Sequence, residues 1–474
     1  MTLADPREAK RFRFVRRAYD AGIATLVYAF DDGPELVERI VFPDAPEVVH
    51  RDAFEAALDV LHLVAGVSYY KAGVPAEIVV ETHALDRETA TFLDTLYLHG
   101  LGEFAYHNKL DLRRRIAFLP PPQGEVRGGD DVGGATSTSG AANTIPTQTL
   151  ALKGRASKQA IGLARRTLVP IGGGKDSLVS VEILKRVEDP ATAVWIGNSP
   201  LIAACAARTG LPTLNIGREL SPILFDYNKA GAWNGHIPVT AINSAILAVA
   251  AILYGYDEIA FSNERSASSA TLEYDGQPVN HQWSKGWTFE KSFHDLLKSH
   301  VAADLDYFSL LRPLSELAVA ERFARTSRYD GAFSSCNRNF RILGPKPADR
   351  WCGQCPKCHF VFLALAPFMP KPRLLAIFGR NLLDDIALGP AFDALMEYRD
   401  HKPFECVGEG IEARAAMATL ASRAEWREDA IVARFADEIA PQLDPSELAL
   451  APLLVPSGEH LVPKRLRAFV DAAR

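Results

Sequence analysis

From about residue 165 the chain alternates between short apolar runs and longer runs with helical periodicity. RTLVPI, ATAVWIG, LPTLNIG and DEIAFSN read as strands, with DSLVSVEILKRV, PLIAACAARTG and INSAILAVAAILYGY as helices between them. Short β-rich runs bounded by turn residues suit strands, and apolar residues recurring every three or four positions suit helices. Strict alternation predicts an α/β fold, a doubly wound and mostly parallel sheet with helices on both faces. In such sheets ligands gather at the carboxyl ends of the strands, where the strand order reverses. Two polar strings occupy such ends: GGGKDS (172–177) after the first of these strands and SNERS (262–266) after the last.

Residues 1–119 repeat the pattern on a smaller scale. IATLVYAF and AEIVVE read as strands, DAFEAALDVLHLVAGVSYY and RETATFLDTLYLHGLGEF as helices. The pattern predicts a smaller N-terminal α/β domain. Residues 120–155 then lose almost every apolar anchor and fill with Pro, Gly, Ser and Thr, the composition of a flexible linker. Residues 160–330 are expected to hold the main sheet, and 331–474 a helical C-terminal region.

Composition narrows the function classes. With 474 residues, 48% of them hydrophobic, the chain can bury a large core. A net charge of −6 argues against general binding to nucleic acid or an anionic membrane, so an anionic substrate needs a local cluster of Lys and Arg. The longest apolar run, VTAINSAILAVAAILYGY, contains Asn243 and Ser244 and lies between strands, so it is expected as a buried helix and not a membrane span. The N-terminal MTLADPREAKRFRF has no apolar core of a signal peptide, and the expected location is cytoplasmic.

Three glycines let a backbone approach an anion closely, and the helix that follows adds its positive N-terminal end. In PIGGGKDSLVS, Lys175 adds a point charge and Ser177 a hydroxyl. Asp176 after Lys175 excludes the Walker A pattern, and the spacing does not fit G-x-G-x-x-G. Gly173, Gly174, Lys175, Asp176 and Ser177 instead resemble the S-G-G-x-D-S loop of the ATP pyrophosphatase (PP-loop) superfamily, with Gly172 standing where that family has serine. The resemblance implies ATP cleaved between its α and β phosphates, pyrophosphate held by the loop, and an adenylated substrate oxygen.

Of six cysteines, four cluster as Cys336 in SSCNR and Cys352, Cys355 and Cys358 in WCGQCPKCH. A C-x15-C-x2-C-x2-C set suits a closed, structural Zn2+ site; an iron–sulfur cluster is the alternative. His359 would be a spare, and Cys205, on an Ala-rich helix, reads as core filler. The segment 262–293 is dense in polar and aromatic groups: Glu264, Arg265 and Ser266 are expected beside the nucleotide, and Asn280, His281, Gln282, Ser284 and Lys285 on a binding loop. Trp233, Asn234, Gly235 and His236 either read a substrate or cap the next helix. HKPFECVG places Lys402 and Cys406 in a turn-rich setting where a thiol can be reactive.

Together, LGEFAYHNKLDLR, GGGKDS, SNERSA, VNHQWSK, WCGQCPKC and KPFECVG resemble the MurL-type epimerases over most of the chain outside 120–155. The resemblance implies inversion of the terminal L-glutamate of UDP-MurNAc-L-Ala-L-Glu for peptidoglycan synthesis, after a ligase has added that glutamate. ATP and Mg2+ would convert the α-carboxylate to an acyl-adenylate, whose α-hydrogen is far more acidic because the ionised group is masked. Gly172–Ser177 would hold pyrophosphate, Asp176 would help ligate Mg2+, and Lys175 would offset charge on the leaving group. Cys406, His281 and Glu264 are the candidates for proton transfer. The UDP diphosphate needs cations, for which Arg265, Lys285 and Arg113–Arg115 are candidates. A PP-loop ligase that forms an amide or nitrile, of the 7-cyano-7-deazaguanine synthase type, is the alternative; no glutaminase segment accompanies it. A tRNA-modifying PP-loop enzyme fits the acidic charge poorly.

Overall fold

The computed structural model describes residues 4–118, 158–341 and 344–471; the expected linker at 120–155 lies outside the described residues. Four strands come from the N-terminal region: β1 (Arg11–Asp20), β2 (Ile23–Phe30), β3 (Leu36–Val41) and β4 (Glu77–Val80). Then follow β5 (Ala164–Pro170), β6 (Ala191–Ile196), β7 (Thr213–Glu219) and β8 (Tyr256–Phe261), a short hairpin of β9 (Leu272–Tyr274) and β10 (Gln277–Val279), and β11 (Asp306–Ser309). Apart from the hairpin, all of these form a single nine-stranded sheet in the order β11-β8-β5-β6-β7-β3-β2-β1-β4.

The half from β11 to β7 is parallel throughout. Its order reverses between β5 and β8, because the chain winds from β5 to β7 in one direction and from β8 to β11 in the other. That reversal places the glycine loop and SNERS side by side at the carboxyl ends of β5 and β8, as expected for a doubly wound sheet. DEIAFSN is not its last strand, since DYFS (β11) adds one more beyond β8.

The N-terminal strands do not build a sheet of their own. β3 pairs antiparallel with β7 through Arg39–Glu219, Ile40–Arg218 and Val41–Gly217, so they continue the main sheet. The missed strand β1, RFRFVRRAYD, buries Phe12 and Phe14 and turns its arginines outward, a period-two pattern masked by its charge. The helix Val239–Tyr254 is buried along nearly its whole length and packs on the helix Arg51–Ala65, joining both halves in one core. Each fully buried Leu, Ile or Val there contributes on the order of 1.5–3 kcal/mol. Gly255, at φ +75°, ends that helix in the left-handed conformation that favours glycine. Among the described residues no helix is long and apolar enough to cross a membrane. A second core underlies the helical C-terminal region, which packs against the face of the sheet that carries the helix Lys175–Leu184.

Candidate active site

After β5 the chain turns through Gly172–Gly174 into the helix Lys175–Leu184. Gly173 sits at φ +79°, and Gly174, at the N-cap position, leaves the first N–H groups of the helix without a side-chain cap. Such uncapped donors suit an anion. The residues 334–336 press on this turn: Ser334 N donates to Gly173 O at 2.9 Å, and a Cβ on Gly174 would fall 2.6 Å from Ser335 Oγ. A Cβ on Gly172 would meet nothing within 4 Å, so crowding does not demand glycine there. Ser177 Oγ donates to Gly174 O at 3.2 Å and closes the turn.

Beside the loop lies a cluster of carboxylates. Asp176, Glu264 and Glu316 bring one oxygen each within 4.8 Å of one another. The buried Lys175 ammonium donates to Asp176 and Glu316, and Lys357 Nζ lies 3.7 Å from Glu316. Burial and the like charges of Glu316 and Asp176 push Glu264 up to about 8. Burial opposes ionisation of Asp176, but Lys175 and Lys357 hold it below the usual carboxylate range. Glu264 Oε1 is buried with no hydrogen-bond partner. An orphaned oxygen among three carboxylates is the donor set of a hard divalent cation such as Mg2+.

The same cluster of ionisable side chains continues to Cys406. Lys285 Nζ donates to Cys406 Sγ at 3.1 Å, and His281 acts on the same thiol electrostatically. Burial raises the thiol, yet Lys285 and His281 overcome this and bring Cys406 down to about 5. His281 moves the other way, to about 9, because Cys406 and Glu103 together outweigh its burial. The pair is therefore a thiolate and an imidazolium at neutral pH. The charge of Lys285 acts on Cys406 and on Glu264 and Asp176, which couples the two halves of the pocket. Lys357 donates to Cys406 O and fixes the backbone there.

The four clustered cysteines converge as expected. Sγ separations are 3.4 Å for Cys355–Cys358, 3.7 Å for Cys352–Cys358 and 3.9 Å for Cys336–Cys355. A tetrahedral Zn2+ with bonds of ~2.3 Å requires sulfurs ~3.8 Å apart, so the geometry fits zinc. Gln354 N donates to Cys352 Sγ at 3.4 Å, while His359 is turned to Gly353 O and stands outside the set. This knuckle ties the 334–336 segment covering the glycine loop to the helix Pro356–Leu365 that carries Lys357.

Comparison with known families matches residues 3–310 to the MurL N-terminal domain and 332–449 to the MurL C-terminal domain. The chain belongs to the MurL family. A relative from Xanthomonas oryzae pv. oryzae is 56% identical over 100% of this chain and 99% of its own length, and bears the name UDP-N-acetyl-alpha-D-muramoyl-L-alanyl-L-glutamate epimerase. Relatives of the same name from Salinispora tropica and a Micromonospora strain are 40% and 39% identical over 86% and 85% of this chain, each aligned over 82% of its own length. By their names these relatives are isomerases.

Seen on this MurL chain, the pocket draws on both domain matches. Asp176, Glu264, His281 and Lys285 come from the first, and Cys406 with Lys357 from the second. All four expected catalytic residues, Asp176, Glu264, His281 and Cys406, meet in it. Arg265 does not join them. Its guanidinium turns out to Val455 O and Leu453 O, at 3.0 and 3.2 Å, because its backbone N is held by Leu314 O, and it serves to tether the C-terminal segment. Arg113 is spent on Asp111 and Asp275, and Arg115 donates to Val74 O. Cys205 is buried, its thiol 3.6 Å from Gly173 O and pushed up to about 11 by burial, which suits core packing.

Four residues of the pocket were not singled out from sequence. Glu316 starts the helix Glu316–Ala324 behind its N-cap Ser315, a polar start with no spacing to mark it as a ligand. Lys357 was hidden inside the cysteine motif. Glu103 stands in an ordinary amphipathic helix, Gly102–Asn108. Arg312 is 1% exposed; it pairs with Glu290 and donates to Glu264 O at 2.7 Å and to Lys285 O. One buried guanidinium thus sets the spacing of the two polar segments.

Proposed function

We propose that this protein is the ATP-dependent epimerase that inverts the terminal L-glutamate of UDP-MurNAc-L-Ala-L-Glu, acting in the cytoplasm after a ligase has added that residue. The observation that carries this reading is Lys285, 3.1 Å from the Cys406 sulfur and acting electrostatically on Glu264 and Asp176 beside an uncapped glycine loop. Phosphate-handling groups and a proton-transfer pair share one pocket. The names of the relatives supply the substrate.

The α-carboxylate of glutamate attacks the α-phosphorus of ATP, the α–β bridging P–O bond breaks, and pyrophosphate leaves. Gly172–Ser177 and the helix start receive that anion, and Lys175 offsets its charge. A Mg2+ held by Asp176, Glu264 and Glu316 would supply charge neutralisation on the phosphates. With the carboxylate masked as a mixed anhydride, its α-hydrogen acidifies, and each ~1.4 kcal/mol removed from the barrier is tenfold in rate. The Cys406 thiolate takes the α-proton and the protonated His281 returns one. Water then attacks the acyl carbon and releases AMP and the D-glutamyl product. A zinc held by Cys336, Cys352, Cys355 and Cys358 would play no chemical part and would keep the cover of the loop in place.

The test incubates the protein with ATP, Mg2+ and UDP-MurNAc-L-Ala-L-Glu in deuterated water. AMP formation with one deuterium at the glutamate α-carbon and D-glutamate after acid hydrolysis supports the reading. AMP without deuterium uptake refutes it in favour of ligation.

A further inference from the structure

The two groups proposed to move the proton, and a carboxylate behind one of them, come from distant parts of the chain. Glu103 lies on the helix Gly102–Asn108, His281 in the turn after β10, and Cys406 in the loop that precedes the helix Gly410–Ala421. We propose that Glu103 is a positioning residue, which orients the His281 ring beside Cys406. The inference rests on the proposed epimerase chemistry for its role but not for its geometry.

Glu103 is 8% exposed and its Oε2 lies 2.5 Å from His281 Nδ1. That contact engages Nδ1 of the ring. Two other imidazoles surround the same carboxylate more loosely, His236 Nδ1 at 3.9 Å and His107 Nε2 at 3.8 Å. The His236 and His281 rings lie 4.3 Å apart, too close for both to carry charge at low cost. Burial and the charge on His281 drive His236 down to about 4, so the single proton belongs to the ring that Glu103 holds closely. Burial works against an ionised Glu103, and the hydrogen bond with His281 overcomes it. The charged groups around Cys406 are Lys285, His281, Lys357 and Glu405, and those around His281 are Cys406, Glu103, His236 and Glu405, with Lys285 also facing His236. Glu103 is the carboxylate that meets the ring acting on the sulfur. A carboxylate behind a catalytic imidazole fixes its tautomer and favours its cationic form.

The test reads Cys406 directly. Site-resolved alkylation by iodoacetamide, followed by peptide mass spectrometry across pH, gives the apparent titration of that thiol in the folded protein without substrate. The wild type is expected to alkylate at Cys406 with a midpoint far below an ordinary thiol. Glu103→Gln keeps the shape and removes the charge; a loss of about one pH unit of depression would slow alkylation about threefold at pH 5.5. Glu103→Asp is expected to recover part of that loss. In turnover, Glu103→Gln should keep ATP-dependent AMP release in a single turnover and the KM for ATP, while deuterium wash-in falls. An ordinary thiol midpoint in the wild type overturns the proposal whatever the variants do, and so does an unchanged midpoint in folded Glu103→Gln. Absence of epimerisation in the wild type, with the alkylation pattern intact, would count against the substrate assignment and leave the relay standing.

Discussion

Lys285→Met removes the charge nearest the Cys406 sulfur while keeping most of the side-chain volume. At the observed 3.1 Å and an effective dielectric of about 20, a unit charge is worth ~5 kcal/mol, or ~4 pKa units. That figure is an upper end, since Lys285 also faces Glu264 and Asp176 and the thiol is partly exposed to water. His281 and Lys357 remain to favour the thiolate. Cys406 is therefore expected to rise from about 5 by ~2–4 units, toward the ordinary thiol range. At pH 7 a thiol raised to ~7–9 is ionised to between ~50% and ~1%, so α-proton exchange should fall between ~2-fold and ~100-fold, and ~30-fold for a midpoint of ~8.5. The loss should shrink roughly tenfold per pH unit as the medium becomes more alkaline, until the new midpoint is reached. Deuterium wash-in at the glutamate α-carbon between pH 6 and 9.5 measures the rate, and thiolate absorbance in the ultraviolet measures the midpoint. Single-turnover AMP release separates any damage to the adenylation half. A Lys285→Met enzyme whose exchange rate and thiol midpoint both match the wild type would falsify the role of this ion pair.

Other outcomes follow from the same geometry. Gly174→Ala should raise the KM for ATP modestly, because a Cβ 2.6 Å from Ser335 Oγ must turn that hydroxyl aside next to the glycine loop; steady-state kinetics checks it, and an unchanged KM would show that the hydroxyl turns without disturbing the loop. Metal analysis should find one zinc per chain, and Cys355→Ser should lower both zinc content and the melting temperature, with AMP release lost in step. Zinc-free wild-type protein that retains full activity contradicts that reading. Burial and neighbouring carboxylates raise Glu264 from the usual carboxylate range to about 8, so the folded chain keeps a proton that the unfolded chain has released. That contribution to stability is complete below the unfolded value and disappears as pH rises through about 8. Mg2+ competes with this proton, and its stabilising effect should be larger at pH 8.5 than at pH 6. Calorimetry with and without Mg2+ checks this, and a magnesium effect independent of pH, or one unaltered in Glu264→Gln, speaks against the cation site.

Chemistry that is local in the chain was legible from the chain. The glycine loop, the cysteine spacing and the alternation after residue 165 each depend on residues close in sequence, and the structure returns each near its expected bounds. Cys406, His281, Glu264 and Asp176 were singled out because reactive types in turn-rich or strand-end settings are few. Arg265 illustrates the limit. Its neighbour Glu264 enters the pocket while Arg265 faces Leu453 and Val455, for adjacent side chains diverge and sequence does not say which one the pocket receives.

Everything that depended on long-range contact belonged to the tertiary structure. The N-terminal strands extend the main sheet because the edge of β7 offers unpaired backbone groups that β3 satisfies, a pairing between residues 39–41 and 217–219 with no local signature. The ionisation of Cys406 depends on Lys285, His281 and Lys357 arriving from other segments, and electrostatic fields follow distance in space. Glu103, Glu316 and Arg312 look ordinary in sequence for the same reason: each acquires its role only from the groups the fold sets against it. The sequence by itself determined the class of sheet, the phosphate-like loop and the cysteine knuckle. The tertiary structure decided which carboxylates stand together, which imidazole lies against Glu103, and which thiol lies beside a lysine.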